Sequence, residues 1–298
     1  MNKRSLVFVG LGKMGLPMVE TFLKKGVSIY AYDNNKTRLK VAKNLGAYSL
    51  KNLNDLSNVK FKPKIFWLML PMGSTIDEII KKLIPILNKG DLIIDGGNAS
   101  YKDTIRRRKM LKEKNIGFVG AGTSGGIKGA LVGPPITFDC TIKDYKKLLP
   151  YLKILGGNYS FFEGNGKGHM AKTIHNAIEY GMMQSIAEGI SLYFSHGFSE
   201  KEIKKTFQTW SKGSIIESRL VDCINEIMNK YSLLDNKQIK NSETVKIVEE
   251  ILRKDCYTPI LKKSMTLRKN INKQDRIVNT VLARLRLLFG GHSINDKN

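Results

Sequence analysis

The spacing of apolar and polar positions changes character once along the chain. Up to about residue 163, short apolar runs alternate with stretches of helical period. Residues 6–9 (Leu-Val-Phe-Val) read as a buried strand, followed by a glycine-rich turn and a helical stretch that ends near Lys25-Gly26. Residues 27–32 alternate as a second strand. Further strands are predicted at 64–70, 91–95, 116–119 and 136–142, with helices at 74–87, 101–114 and 145–155. Strands alternating with helices predict a doubly wound parallel sheet covered on both faces. From residue 164 onward the period is helical throughout, with Pro259 as the only proline and no clear strand. The expected architecture is therefore an α/β domain at 1–163 and an all-α domain at 164–298, with a polar, irregular stretch at 229–244 and a last helix at 279–289.

The first turn carries chemistry. Gly10-Leu11-Gly12-Lys13-Met14-Gly15 stands between a strand and a helix, and the second strand ends at Asp33, about 20 residues on. Alone, Gly-x-Gly-x-x-Gly is weak. In this context it is the Rossmann-type dinucleotide fingerprint, in which the glycines let a pyrophosphate approach backbone N–H groups at a helix N-terminus. Asp33 would accept the ribose hydroxyls and repel a 2′-phosphate, which favours NAD; Lys36 and Arg38 nearby leave NADP possible. Turns at the carboxyl ends of such strands line the ligand crevice. They bring in Leu70, Pro71 and Met72 after one strand, Asn98 after the next, and Ser124, Gly125 and Gly126 after a third, where residues 120–126 read as a loop.

A long helix is predicted from Gly168. Lys172, His175, Asn176, Glu179, Tyr180 and Met183 recur on it at three- and four-residue steps and share one face. A face carrying an amine, an imidazole, an amide, a carboxylate and a phenol suggests an active-site wall rather than ordinary core.

Bulk properties narrow the class. The 298 residues are 42% hydrophobic, enough for two domains. No leader is recognisable, and the longest apolar run, 65–70, is too short for a bilayer. The three cysteines (Cys140, Cys223, Cys256) are widely spaced and read as reduced residues of a cytoplasmic protein, with no metal site. The net charge of +24 leaves three readings: nucleic acid or a membrane surface, steering of an anionic substrate, or compositional bias. The even spread of lysine among abundant Asn and Ile favours the last. The basic stretch 51–64 and Arg106-Arg107-Arg108 are read as solvated surface, and neither nucleic acid nor membrane is expected as a partner.

Together the motifs resemble a known family. Gly10 to Gly15, Asp95-Gly96-Gly97-Asn98, Gly122-Thr123-Ser124-Gly125-Gly126, the run 166–183 and Phe289-Gly290-Gly291-His292 with Arg286 resemble the β-hydroxyacid dehydrogenases. Within them they look like the decarboxylating 6-phosphogluconate dehydrogenases, in the short NAD-preferring form. His175-Asn176-x-x-Glu179-Tyr180-Gly181 is the most specific match. The resemblance implies Lys172 as general base, Glu179 as the acid that protonates the enediol, and Asn176 among the catalytic groups. It implies that Asn98, Ser124, Gly125, Gly126, His175 and Asn176 bind the sugar acid. Tyr180, Arg286 and His292 would hold its phosphate, the last two reaching in from a neighbouring subunit. Lys172 and Glu179, seven residues apart, would stand about 10 Å apart along the helix axis.

The sequence departs from the family over 132–140 (Val-Gly-Pro-Pro-Ile-Thr-Phe-Asp-Cys), where Pro134 and Pro135 would stiffen a loop, and at Glu217, where the family tends to place Arg. Lys212, Arg219 and Arg268 are candidates for further phosphate contacts. A rival reading is a dehydrogenase for a smaller, unphosphorylated acid such as 3-hydroxyisobutyrate. It keeps Lys172 and Asn176 without needing Glu179, Arg286 or His292. A remoter one is a non-enzymatic basic binding protein on the same fold. The helical part has little core of its own, so a homodimer or tetramer is expected.

Overall fold

The computed structural model describes residues 4–59, 61–238, 244–253, 256–270, 274–290 and 295–296. The chain divides into two compact units, Met1–Thr173 and Ile174–Asn298.

The first unit is built on one sheet. Its strands are β1 (Ser5–Val9), β2 (Ser28–Tyr32), β3 (Tyr48–Ser49), β4 (Ile65–Leu68), β5 (Leu92–Asp95), β6 (Gly117–Thr123), β7 (Ile136–Cys140) and β8 (Tyr159–Glu163). They lie in the order β3-β2-β1-β4-β5-β6-β7-β8. All neighbours are parallel except β6 and β7. The helices of this unit are α1 (Gly15–Lys24), α2 (Lys36–Asn44), α3 (Ser74–Leu83), α4 (Tyr101–Lys112), α5 (Gly126–Val132) and α6 (Ile142–Leu155). Successive strand residues point to opposite faces, and both faces are buried. Phe8 and Trp67 join Met18, Phe22 and Tyr151 in one cluster. Their neighbours Val7 and Phe66 join Ile76, Ile80 and Phe118 in another. That is why these strands read as unbroken apolar runs. Strand order reverses between β1 and β4, and a crevice for ligand opens at such a point.

Several elements differ from the sequence expectation. β6 runs on through Gly120, Ala121, Gly122 and Thr123, which were expected to be loop. α2, α5, β3 and β8 carry too weak a period to be predicted. α3 ends at Leu83 and a 3-10 turn, Ile84–Ile86, follows at Pro85, which lacks the N–H a longer helix needs. The stretches expected to be solvated are partly interior. Leu53, Leu56 and Lys64 are buried, and Arg107 is 0% exposed. Arg108 pairs with buried Asp139 at 2.6 Å. Charge in the sequence did not mean surface, because carboxylates on other elements meet these guanidinium groups.

Asp77, in the first turn of α3, is one such partner. Burial pushes its carboxyl up, but hydrogen bonds and charge from Arg107 and Arg106 outweigh this and hold it at about 2, below its ordinary 3.8. A lowered folded pKa contributes stability that is present above the unfolded value and lost as pH falls through the folded one. Screening at this partly open site keeps the contribution on the order of 1 kcal/mol. Asp77→Asn should therefore lower the melting temperature near neutral pH and leave it nearly unchanged at about pH 2, as thermal scans at both pH values would record.

The second unit is helical. α7 (Lys167–Ser195) enters it from the first and is one unbroken helix of 29 residues. α8 (Glu200–Trp210), α9 (Arg219–Met228), α10 (Thr244–Leu252), α11 (Pro259–Lys269) and α12 (Arg276–Gly290) follow. Met183, Ile190, Phe207, Ile224, Val248, Met265 and Leu282 are in its core. In the stretch expected to be irregular, β9 (Lys237–Gln238) pairs antiparallel with β10 (Asn295–Asp296). The division falls inside α7, not in the turn before it. Among the described residues, no helix is long and apolar enough to cross a membrane. No group of three or more His, Cys, Asp or Glu among them could hold a metal.

Candidate active site

The turn between β1 and α1 has the form a dinucleotide requires. Gly10 has φ +94°, and a Cβ there would stand 2.3 Å from the Met69 carbonyl oxygen. At Gly15 it would meet the Gly10 carbonyl oxygen at 2.0 Å. Gly12, by contrast, faces open space, with nothing within 4 Å of a built Cβ. No side chain caps the α1 N-terminus and no acidic residue lies in its first turn, so nothing in that turn opposes an anion at the positive end of the helix dipole. Asp33, at the end of β2, accepts the Leu11 N–H at 2.6 Å and the Asn35 N–H at 2.7 Å. It therefore fixes the turn. Arg38 stands 4.0 Å from it. These residues fit NAD(P).

The start of α7 is tied to the sheet by a buried carboxylate. Asp139, on β7, accepts the Gly166 N–H at 2.9 Å and the Gly168 N–H at 3.1 Å. It thus caps amides that a helix start leaves unsatisfied. At the next residue, His169 Nδ1 lies 2.6 Å from Thr104 Oγ1 of α4. Glycine makes the close approach possible. A Cβ at Gly168 would stand 2.3 Å from the Gly120 carbonyl oxygen, and one at Gly122 would stand 2.2 Å from the Lys172 Cβ. Lys172 is thereby laid across β6, buried, with its Nζ donating to Ser124 Oγ at 2.7 Å. Ser124 is held in turn, its N–H donating to the Pro135 carbonyl at 2.9 Å. The Pro134-Pro135 loop thus supports the hydroxyl that meets the amine. Thr123 Oγ1 donates to the Gly96 carbonyl at 2.8 Å, joining the end of β6 to the turn that carries Asn98.

Sequence reasoning missed Asp139, His169 and Thr104. A lone carboxylate in the apolar run Ile136-Thr137-Phe138-Asp139-Cys140 was the one available signal.

Beyond Lys172 the helix buries polar side chains beside its apolar core residues and leaves a second apolar stripe outside. Asn176 and Tyr180 are buried, while Ile174, Ile178, Met182 and Leu192 are 43–60% exposed. His175 Nδ1 lies 3.6 Å from Glu179 Oε2. The Arg268 guanidinium, from α11, stacks over the Tyr180 ring at 3.9 Å from its centroid. Arg268 and Arg286 are both buried. Burial pushes Arg268 down to about 10; Tyr180 and Glu179 oppose this, while Arg286 adds to it. Burial also lowers Arg286, against the pull of Tyr180 and Glu179. Two buried guanidinium groups, a phenol and one carboxylate thus act on one another electrostatically in this part of the helical unit.

Arg286, expected to reach in from a neighbouring subunit, is buried within the helical unit of the single chain. His292 lies outside the described residues. Of the other basic candidates, Lys212 is exposed, and Arg219 is engaged by Glu226 at 2.8 Å. Glu217 accepts the Gly213 N–H at 2.7 Å and so closes its own loop.

Comparison with known proteins covers both units. Residues 5–164 match the family model described as the NAD binding domain of 6-phosphogluconate dehydrogenase, and residues 168–258 match that of its C-terminal domain. The Bacillus subtilis (strain 168) protein named "Putative 6-phosphogluconate dehydrogenase YqeC" is 33% identical, covering 97% of this chain and 98% of that protein. The decarboxylating 6-phosphogluconate dehydrogenase of Buchnera aphidicola subsp. Acyrthosiphon pisum is 35% identical over 76% of this chain. The match spans about half of that protein's length, 51%. Among solved structures, the Plasmodium falciparum 6-phosphogluconate dehydrogenase, described with its cofactor NADP+ and its substrate 6-phosphogluconate, superposes with a TM-score of 0.80. That match is at 24% identity over 94% of this chain and 70% of that one, and shows a common fold.

Proposed function

Because the chain belongs to the 6-phosphogluconate dehydrogenase family of NAD(P)-dependent oxidoreductases, we propose that it oxidises and decarboxylates 6-phosphogluconate to ribulose 5-phosphate in the cytoplasm, with NAD preferred. NAD(P)+ supplies the hydride acceptor. Lys172, in its neutral form, removes the C3 hydroxyl proton as the C3 hydride leaves. The observation that carries this reading is the Lys172 amine laid across β6 with its Nζ on Ser124 at 2.7 Å. A base must lie within hydrogen-bond reach of the proton it takes, and Ser124 holds the amine at the end of β6, on the edge where such sheets bind ligand. The 3-keto acid then loses C1 as CO2. Protonated Lys172 polarises the ketone and receives no help from a metal in this reading. Glu179, two turns further along α7, protonates the carbon that becomes C1 of the pentulose. Asn98, Ser124, Gly125, Gly126, His175 and Asn176 bind the sugar acid. Tyr180, Arg286 and Arg268 hold its phosphate, with His292 as a further contact.

Asp33 supports the NAD preference, since a carboxylate facing the ribose repels a 2′-phosphate. The outward apolar stripe Ile174, Ile178, Met182 and Leu192 supports a homo-oligomer, because apolar faces of this length are seldom left to solvent. Gel filtration should accordingly show a dimer or tetramer.

The test of the activity is NADH or NADPH formation with 6-phosphogluconate, gluconate and 3-hydroxyisobutyrate in parallel. Turnover of 6-phosphogluconate with equimolar CO2 is the expected outcome. Turnover of 3-hydroxyisobutyrate alone would overturn it in favour of a smaller, unphosphorylated substrate.

A further inference from the structure

Arg107 is the most deeply buried cation of the sheet unit, and it belongs to no motif that names the family. It sits in the interior of α4, 0% exposed. Its guanidinium reaches three separate pieces of chain. Nε donates to Asp77 Oδ1 at 2.9 Å and Nη2 to Asp77 Oδ2 at 3.1 Å, in the first turn of α3. Nη2 also donates to the Gly73 carbonyl at 3.0 Å. Nη1 donates to Asp95 Oδ2 at 3.1 Å, at the end of β5.

These partners are not scattered. Gly73, at φ +100°, closes the turn that contains Leu70, Pro71 and Met72. Asp95 opens the turn that contains Gly96, Gly97 and Asn98, and itself receives a backbone hydrogen bond from Gly97. The two turns rest on each other so closely that a Cβ at Gly97 would stand 2.8 Å from the Leu70 carbonyl oxygen. β4 and β5 are adjacent, so the two turns emerge side by side. A single rigid, planar fork therefore fixes the height of one turn against the other. Asp95 is fully buried, and burial raises its carboxyl pKa against the pull of His169 and Arg107. Oδ1 of Asp95 has no hydrogen-bond partner among the described residues. Arg107 is the group that hydrogen-bonds this carboxylate through a positive charge, and a buried charge without such a partner is strongly unfavourable.

We infer that Arg107 is a positioning residue for the dinucleotide: through Gly73 and Asp95 it sets the spacing of the Pro71-Met72 and Gly97-Asn98 turns, which receive the nicotinamide half. This rests on reading those turns as the cofactor edge of the crevice. The Gly10–Gly15 turn and Asp33 lie on the other side of the point where strand order reverses, and serve the pyrophosphate and adenosine half. Arg107 touches neither. The effect of losing it should therefore be asymmetric along the dinucleotide.

The experiment compares NADH with ADP-ribose, which lacks the nicotinamide ring, by fluorescence titration and by calorimetry. Arg107→Lys keeps the charge and loses the fork. NADH affinity should fall about tenfold or more, since displacements of an ångström in a positioning group cost up to a hundredfold. ADP-ribose affinity should stay within about twofold. Equal NADH affinity in the variant and the unaltered protein would overturn the inference, as would parallel loss of both ligands, which marks general loosening. If Arg107→Lys does not fold, Asp77→Asn removes the charge and one of the two acceptor oxygens that Asp77 offers the fork from the open side of the cluster, and the same asymmetry is expected of it. Failure of the unaltered protein to bind NADH would overturn the reading of the crevice itself, and this inference with it.

Discussion

Lys172→Met should abolish steady NADH formation from 6-phosphogluconate, with kcat about a thousandfold lower, while NADH still binds. General-base catalysis of this kind is worth about 10²–10⁴ in rate. The upper part of that range applies because the amine has a second task, polarising the ketone during loss of CO2. Met keeps the length and apolar stem that cross β6, so the close fit over Gly122 survives. What disappears is the Nζ that meets Ser124 at 2.7 Å. Binding of the dinucleotide should be preserved, since the glycine turn and Asp33 are made by other elements. A variant that retains more than about a tenth of its turnover would remove Lys172 from the reaction. A variant that also loses NADH binding would place the lysine in the architecture of the crevice instead. Rapid-mixing absorbance should in addition show no first-turnover burst, because the defect precedes hydride transfer.

How much of this was legible in the chain depends on how local the physics is. The β1–turn–α1–β2–Asp33 unit could be read in full, because its glycines, apolar run and acid act on one another over a few residues. β6 could not. Its Gly120 and Gly122 look like turn residues, yet they lie inside a strand to admit α7, and a clearance between two distant segments leaves no local trace. The polar face of α7 drew attention because an amine, an amide and a phenol at helical spacing are poor core, and all three are buried. That four of its apolar residues, Ile174, Ile178, Met182 and Leu192, would be exposed was not legible. Arg107 was hidden for a related reason. In a run of three arginines nothing marks the middle one as interior, and its partners Asp77 and Asp95 come from two other elements. Arg268 likewise emerges from a list of candidates only when α11 brings it over Tyr180.

Glu179→Gln should separate the two halves of the proposed reaction. The substitution keeps shape and replaces the acidic carboxyl group with an amide that cannot serve as the proton donor. In the proposed sequence that proton is needed only after hydride has left C3 and CO2 has been lost. A first turnover should therefore still produce close to one NADH per site in a burst. Steady-state CO2 release should then be about a hundredfold slower, limited by protonation of the enediol from water in place of a positioned acid. The place of Glu179 in the structure is consistent with such a role. It is partly exposed, with His175 Nδ1 at 3.6 Å, and it acts electrostatically on Arg268 and Arg286, where the phosphate is proposed to bind. Gln at this position also leaves those two buried guanidinium groups without a carboxylate, so the KM for 6-phosphogluconate should fall or hold while kcat drops. A purely structural role would instead raise KM and lower the burst together. Unchanged CO2 release would dismiss Glu179 as the acid.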